Sequence, residues 1–396
     1  MKKTNRLFLI AGLALLVLSC QKAEKYNGQE IRFTVSAEPS TKTVYGPYNN
    51  ADPNSATQQE IHWVERDQIV IVSDKAVKRY NANQHYSVYD IVDINTDSPN
   101  KAKLENPASD PNGLVYDENY QGDSDYSFMA IYPASTEVVS NIASVFTFAG
   151  DTPEIPEDFY LFKIPGSQSM PVNKEIIIDD SGNVTIPADM SLAYMMAETT
   201  KKPWMAYHDY TPTITLQFFP AFTAFEVILT AAPAFEGESI ALTSVDFIYG
   251  ENIETTPSGG TDAKGHGQDE KKEWAGKVTY DGFRDYEPLV YTFPAGTAVE
   301  AGKTLTFTAF ALPLRNDIKD NTGNPHNHLT LKFTLADGQV RTATLTNRES
   351  GLPISFDPYK KHRLYVLAVP GGFKMFATEA ELLVEAHQES EDIIEF

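Results

Sequence analysis

Leu329-Thr330-Leu331-Lys332-Phe333-Thr334-Leu335 places an apolar residue at every second position, and Asp337-Gly338 separates it from a second run, Val340 to Leu345. A period of two is that of a strand with one buried face, and Asp-Gly between two such runs is turn chemistry, so 329–345 predicts a β-hairpin. The same period extends outward in both directions. Leu305, Phe307, Ala309 and Ala311 form one face, and Leu364, Val366 and Ala368 another. Ile176 and Ile178 run into Asp179-Asp180-Ser181-Gly182-Asn183 and out through Val184 and Ile186, a second hairpin signal. Near the start, Ile31, Phe33 and Val35 alternate with Arg32, Thr34 and Ser36. The 24 prolines and 23 glycines lie mostly between these runs, and long helical periodicity is nearly absent. Many short strands separated by turns predict an all-β protein built of β-sandwiches.

Charge and cysteine content narrow the function. The 396 residues carry 32 Lys and Arg against 54 Asp and Glu, a formal charge of -22. Nucleic acid is not an expected partner, because binding to phosphates rests on counterion release by Lys and Arg clusters that this chain lacks. One cysteine allows neither an intrachain disulfide nor a thiolate zinc cage. An apolar fraction of 42% is ordinary for a folded protein.

The first residues read as an export signal. Lys2, Lys3 and Arg6 precede an apolar run from Leu7 to Leu18, too short to span a bilayer comfortably, and then Ser19-Cys20. Val17-Leu18-Ser19-Cys20 resembles the lipobox of bacterial lipoproteins, which implies cleavage before Cys20, its lipidation, and a membrane partner held through the N-terminal lipid. Residues 1–19 are therefore expected to be a signal peptide, and the 377 residues that follow carry a formal charge of -25. That length exceeds one sandwich core, so two domains are expected, 20–208 and 209–372, with the seam in the polar stretch 201–212 and a C-terminal segment 373–396. Asn95 to Asp125 and Glu251 to Lys272 read as long surface loops.

Taken in order, several segments resemble the fimbrillin family, the lipoprotein precursors of type V pili in Bacteroidales. They are the strand Ile31 to Val35; Thr41-Lys42-Thr43; Ile61-His62-Trp63 through Asp67 to Val72; Tyr126 to Ala134, with Tyr132-Pro133; and Leu216 to Val227. Lys42 stands where that family has arginine, and Arg66 where it has the glycine before Asp67. The resemblance implies two tandem transthyretin-like β-sandwich domains and a fimbrial subunit assembled by strand exchange with other subunits. It also implies removal of the first strand by a protease, with Arg32 and Lys42 as the basic residues near the cut. An unpaired sheet edge is a template for an added strand, so the mechanism is physically sound. A rival outcome is that no cut occurs and the subunit stays anchored.

Beyond Gly371-Gly372, Phe376, Thr378, Ala380, Leu382, Val384 and Ala386 alternate with Met375, Ala377, Glu379, Glu381, Leu383 and Glu385. As a strand this has one apolar and one acidic face, so Phe376, Ala380, Leu382, Val384 and Ala386 are the candidate donor strand. Thr378 and Glu381 also fit a capping box, which keeps a helix as the competing reading. Catalytic motifs such as a serine elbow or His-Glu-x-x-His are absent, and the chain is expected to be neither an enzyme nor a cofactor or metal carrier. His326 and His328 read as a solvated loop, and Asp179, Asp180 and Asn183, like Asp123 and Asp125, as turn residues. Trp63 is expected in a core. Trp204 and Trp274 are the other tryptophans, and stacking of sugar rings around Trp274 defines the alternative function, a surface glycan-binding lipoprotein. Either way the expected location is the outer surface of the outer membrane.

Overall fold

The computed structural model describes residues 30–37, 44–45, 61–116, 126–148, 161–201, 213–233, 239–249, 260–261, 289–311, 329–345, 361–369 and 371–376. The chain is all-β apart from a short helix and a single 3-10 turn among these residues. The first body is a closed ring of seven strands. Its members are β1 (Phe33–Ala37), β2 (Gln68–Ser73), β3 (Tyr86–Val92), β4 (Lys101–Glu105), β5 (Tyr126–Tyr132), β9 (Met195–Lys201) and β10 (Ile214–Pro220). Around the ring the order is β1, β10, β9, β5, β2, β3, β4 and back to β1. Alternation explains the closure: Phe33, Val35, Ile69, Ile71, Tyr89, Ile91, Phe128, Ile214, Leu216 and Phe218 all point into one core.

The second body is a sandwich of two sheets. One holds β6 (Ser167–Ser169), β13 (Leu289–Thr292), β12 (Ser239–Tyr249), β16 (Leu329–Leu335) and β17 (Val340–Thr344), with β14 (Ala298–Glu300) also paired to β12. The other runs β7 (Ile177–Ile178), β8 (Val184–Thr185), β15 (Thr304–Ala311), β11 (Thr223–Ala231), β18 (Lys361–Val369) and β19 (Gly372–Phe376). Their facing side chains form one core that includes Phe225, Phe247, Phe307, Phe333 and Val366. The 329–345 hairpin forms as expected, with Gly338 at φ +83° and Asp337 Oδ1 accepting from Gln339 N at 2.8 Å.

Three expectations of extent differ from the strands observed. β10 follows the expected seam at 208/209 but closes the ring, because Ile214, Leu216 and Phe218 fill the ring core; the chain leaves the ring between Pro220 and Thr223. Conversely β6, β7 and β8 precede the seam and pair with sandwich strands. Likewise Gly372–Phe376 is not apart from the sandwich: it pairs antiparallel with β18, burying Phe373 and Met375. The stretch expected as the loop 95–125 contains β4.

Helix α1 (Thr136–Val145) starts at Ser135, whose hydroxyl accepts from Val138 N at 3.2 Å. Its Val138, Ile142 and Val145 pack on the outer face of β2 and β5, through Val70, Val72, Met129 and Ile131. Phe222, Ala224 and Phe310 join this cluster, so ring and sandwich share a third core.

Candidate functional site

The first strand among the described residues is a stave in the ring. β1 runs parallel to β10, from Phe33↔Ile214 to Ala37↔Phe218, and antiparallel to β4, from Thr34↔Lys103 to Ser36↔Lys101. Ile31, Phe33, Val35 and Ala37 are each at most 4% exposed, whereas Arg32 is exposed and Thr34 and Ser36 are half-buried. Phe33, the bulkiest of these inward side chains, lies edge-on to Tyr89 and Phe128 with ring centroids 5.4 and 5.5 Å away. On the outer face the Thr34 and Thr215 hydroxyls meet at 3.1 Å.

Both ends of the stave are held. Leu114 N donates to the Tyr89 hydroxyl at 2.8 Å, and Leu114 O accepts from Ile31 N at 3.0 Å, so the phenol in the core positions the group that binds the strand. Burial pushes the Tyr89 phenol well above its ordinary pKa, keeping it protonated. Glu30 lies 3.7 Å from the Arg79 guanidinium and accepts from Asn106 Nδ2 at 3.4 Å. At the other end, Asn100 O accepts from Ala37 N at 3.0 Å and from Trp63 Nε1 at 2.8 Å, while Asn100 Nδ2 donates to Ala37 O at 3.1 Å. Trp63 is 3% exposed and packs edge-on against Tyr132 and Phe218, a core role as expected.

The basic residue in this strand is not open along its backbone. Arg32 O accepts from Ile214 N at 2.9 Å, and its neighbours Ile31 and Phe33 are sunk in the core. A protease needs an extended, unpaired substrate, so the bonds beside Arg32 are protected while β1 is seated. Lys42 and Cys20 lie outside the described residues, as do Ala380, Leu382, Val384 and Ala386. Phe376 ends β19, packed against Ala232, Tyr365, Leu367 and Val369 on the sheet face opposite Met375.

The residue that sequence reading missed is the other wall of the slot, β4. Its signal is present: Ala102 and Leu104, buried, alternate with exposed Lys101, Lys103 and Glu105. Lys103 Nζ is 2.9 Å from Asp93 Oδ2 at the surface. Elsewhere, Asp179 is occupied within its own turn, accepting from Ser181 N, Asn183 N and Asn183 Nδ2 at 2.8–2.9 Å, and the Asn183 bonds hold its carboxyl below the usual range. Asp123, Asp125, His326, His328, Trp204 and Trp274 lie outside the described residues. Among the described residues no three His, Cys, Asp or Glu gather as a metal site, and no helix is long and apolar enough to cross a membrane.

No family model and no curated protein matches the sequence. Solved structures do resemble the fold. A Bacteroides ovatus protein named for a role in cell adhesion aligns over 89% of this chain and 96% of its own, at 10% identity and a TM-score of 0.41. A fimbrial assembly protein of Parabacteroides distasonis aligns over 88% and 95%, at 9% identity and 0.38. The C-terminally truncated tip fimbrial protein Mfa3 of Porphyromonas gingivalis aligns over 78% and 92%, at 7% identity and 0.37. Likenesses of this size fix neither family nor function.

Proposed function

We propose that the chain is the precursor of a cell-surface fimbrial subunit, with no enzymatic activity, exported, lipidated at Cys20 and assembled by exchange of its first strand for one from another subunit. The supporting observation is the seating of β1 as one stave between β4 and β10. Its departure leaves backbone groups unpaired along both neighbours and exposes the pockets of Ile31, Phe33 and Val35. Burial of three such side chains contributes about 5–9 kcal/mol, so an empty slot is strongly unfavourable and a replacement strand is strongly bound. The protected backbone at Arg32 supports a cut in the segment after Ala37, where Lys42 lies, rather than within β1.

N-terminal sequencing and intact mass of material sheared from cells test this reading. Sheared filaments whose chains begin beyond Ala37 are the expected result. Finding every chain with an acylated Cys20, confined to the membrane fraction, overturns the polymerising role.

A further inference from the structure

We propose that the open edge of β7 docks a second copy of this chain, the two β7–β8 hairpins pairing antiparallel about a two-fold axis with Ile177 against the partner's Ile177. The proposal goes beyond the fimbrial reading and is independent of it, because β1 and its neighbours β4 and β10 take no part.

The larger sheets manage their other edges. The ring closes on itself, and β17 and β19, the edges on one side of the sandwich, meet through the Leu345↔Met375 bridge. The edge strand β6 reads Ser-Gln-Ser, with Gln168 bonded to Phe310. β7 instead reads Ile-Ile at the outermost place in its sheet. Adjacent residues of a strand point to opposite faces, and Ile177 and Ile178 are both exposed, so the hairpin stands clear of the body on both faces. Asp179 N donates to Asn183 O at 3.0 Å, which continues the Ile177↔Thr185 and Ile178↔Val184 pairing. Bonds to one neighbour alternate along a strand, so Ile177 bonds β8 while Ile178 turns its N–H and C=O away from the sheet. An open backbone edge with apolar side chains is a template for another strand, and proteins ordinarily guard such an edge with charge, proline or a bulge. No such residue lies within Ile176-Ile177-Ile178.

The flanking charges choose the occupant. Lys174 precedes the isoleucines and Asp179 and Asp180 follow them, all exposed. A parallel copy sets like against like, whereas an antiparallel copy sets Lys174 against the partner's acids. The outward groups of Ile178 fix the register when the ladder runs on to Ile176: Ile176 bonds the partner's Ile178, and Ile177 faces the partner's Ile177. Four isoleucines then share one face, closed at each end by Lys174 with the partner's Asp180. Neither Lys174 nor Asp180 has an ion-pair partner among the described residues. On the other face Glu175 meets the partner's Asp179, a carboxylate that already accepts from Ser181 N, Asn183 N and Asn183 Nδ2 in its own turn. That remaining repulsion is a signature of the register.

The test uses the mature chain with Cys20→Ser, uncut, so that β1 stays seated. Sedimentation velocity is expected to show a reversible dimer at concentrations on the order of 0.1 mM, weak because the contact is smaller than a standard interface. Cysteine trapping reads the register. Residues of a non-hydrogen-bonded antiparallel pair have Cα atoms about 4.5 Å apart, within disulfide reach, whereas Ile178 and the partner's Ile178 stand roughly 8 Å apart, beyond it. Ile177→Cys is therefore expected to oxidise to a linked dimer at least ten-fold faster than Ile178→Cys. Ile178→Lys is expected to abolish the dimer, Lys174→Glu to weaken it roughly ten-fold, and Asp180→Lys added to Lys174→Glu to restore it. Glu175→Gln is expected to strengthen it. All these positions are exposed on the hairpin, and a melting temperature equal to the parent's shows each variant folded. A monomer that oxidises equally slowly at both cysteines overturns the inference. A dimer indifferent to Ile178→Lys meets elsewhere on the chain and overturns it too. So does a monomer that binds phosphatidylcholine vesicles and loses them with Ile178→Lys, which gives the edge to a lipid surface.

Discussion

Arg66 sits at φ +72°, in the left-handed region that costs a side-chain-bearing residue about 1 kcal/mol, and its exposed guanidinium lies 3.4 Å from the largely buried carboxylate of Asp90. The conformation explains why a glycine would suit this place, a preference that the sequence shows only as a departure from the resembling pattern. Arg66→Gly loses the ion pair and relieves the strain, whereas Arg66→Ala loses the pair and keeps it. The glycine variant is therefore expected to be the more stable of the two by about 0.5–1 kcal/mol in urea unfolding, and equal or reversed order would refute the strain. Next to it, Asp67 accepts from the Tyr132 hydroxyl at 2.7 Å, yet burial outweighs that bond and raises its carboxyl pKa. With the folded value above the unfolded one, this group's contribution is complete below about pH 4 and is lost as pH rises through the raised value. Asp67→Asn keeps an acceptor for Tyr132 and removes the titration, so the fall in melting temperature above pH 4 should be shallower than in the parent. Asp74, shifted upward by burial too, retains its share of the slope. An unchanged slope would show that Asp67 ionises without cost.

Elements were legible where the alternation was long and its inward residues large. Leu329 to Leu335 and Thr304 to Ala311 needed only the period of two. β4 escaped notice because five residues, Lys-Ala-Lys-Leu-Glu, carry two inward side chains amid polar and turn-forming neighbours, and its burial is completed by β1, distant in the chain. The β7–β8 hairpin shows the opposite failure. Its turn is as expected, with Gly182 at φ +84°, but Ile177 and Ile178 are 57% and 67% exposed, since the hairpin lies at the sheet edge and reaches the core through Ile186. Helix α1 was hidden by its length, with three buried residues in ten positions. The candidate site was half visible in sequence: β1 and its inward residues were read from alternation, but a slot is defined by its walls, and which strands form them is a matter of ring closure that no local pattern encodes.

At the scale of the whole molecule, the question is whether ring and sandwich unfold together. Phe222 and Phe310 meet edge-on at 5.1 Å in the core that both bodies share with helix α1. Gln168 holds Phe310 in place at this junction. Its buried amide accepts from Phe310 N at 2.9 Å and donates to Phe310 O at 2.6 Å and to Pro165 O at 2.9 Å, so one side chain satisfies Phe310 as a neighbouring strand would. Around it, β6 pairs with β13 in one sheet of the sandwich while Phe310 belongs to the other. Gln168→Ala leaves the buried N–H and C=O of Phe310 without these partners, and each orphaned group costs about 1–3 kcal/mol. Because the loss falls beside the core that ring and sandwich share, the expected calorimetric result is a lower melting temperature with unfolding divided into two transitions, ring and sandwich separating as their shared core loosens. Gln168→Glu keeps an acceptor for Phe310 N but sets a carboxylate against Phe310 O, so it should destabilise at least as much at neutral pH and recover part of the loss in acid, where the protonated carboxyl can donate. A Gln168→Ala protein that melts at the parent temperature in one transition would show that the junction is held by the aromatic packing of Phe222 and Phe310 alone.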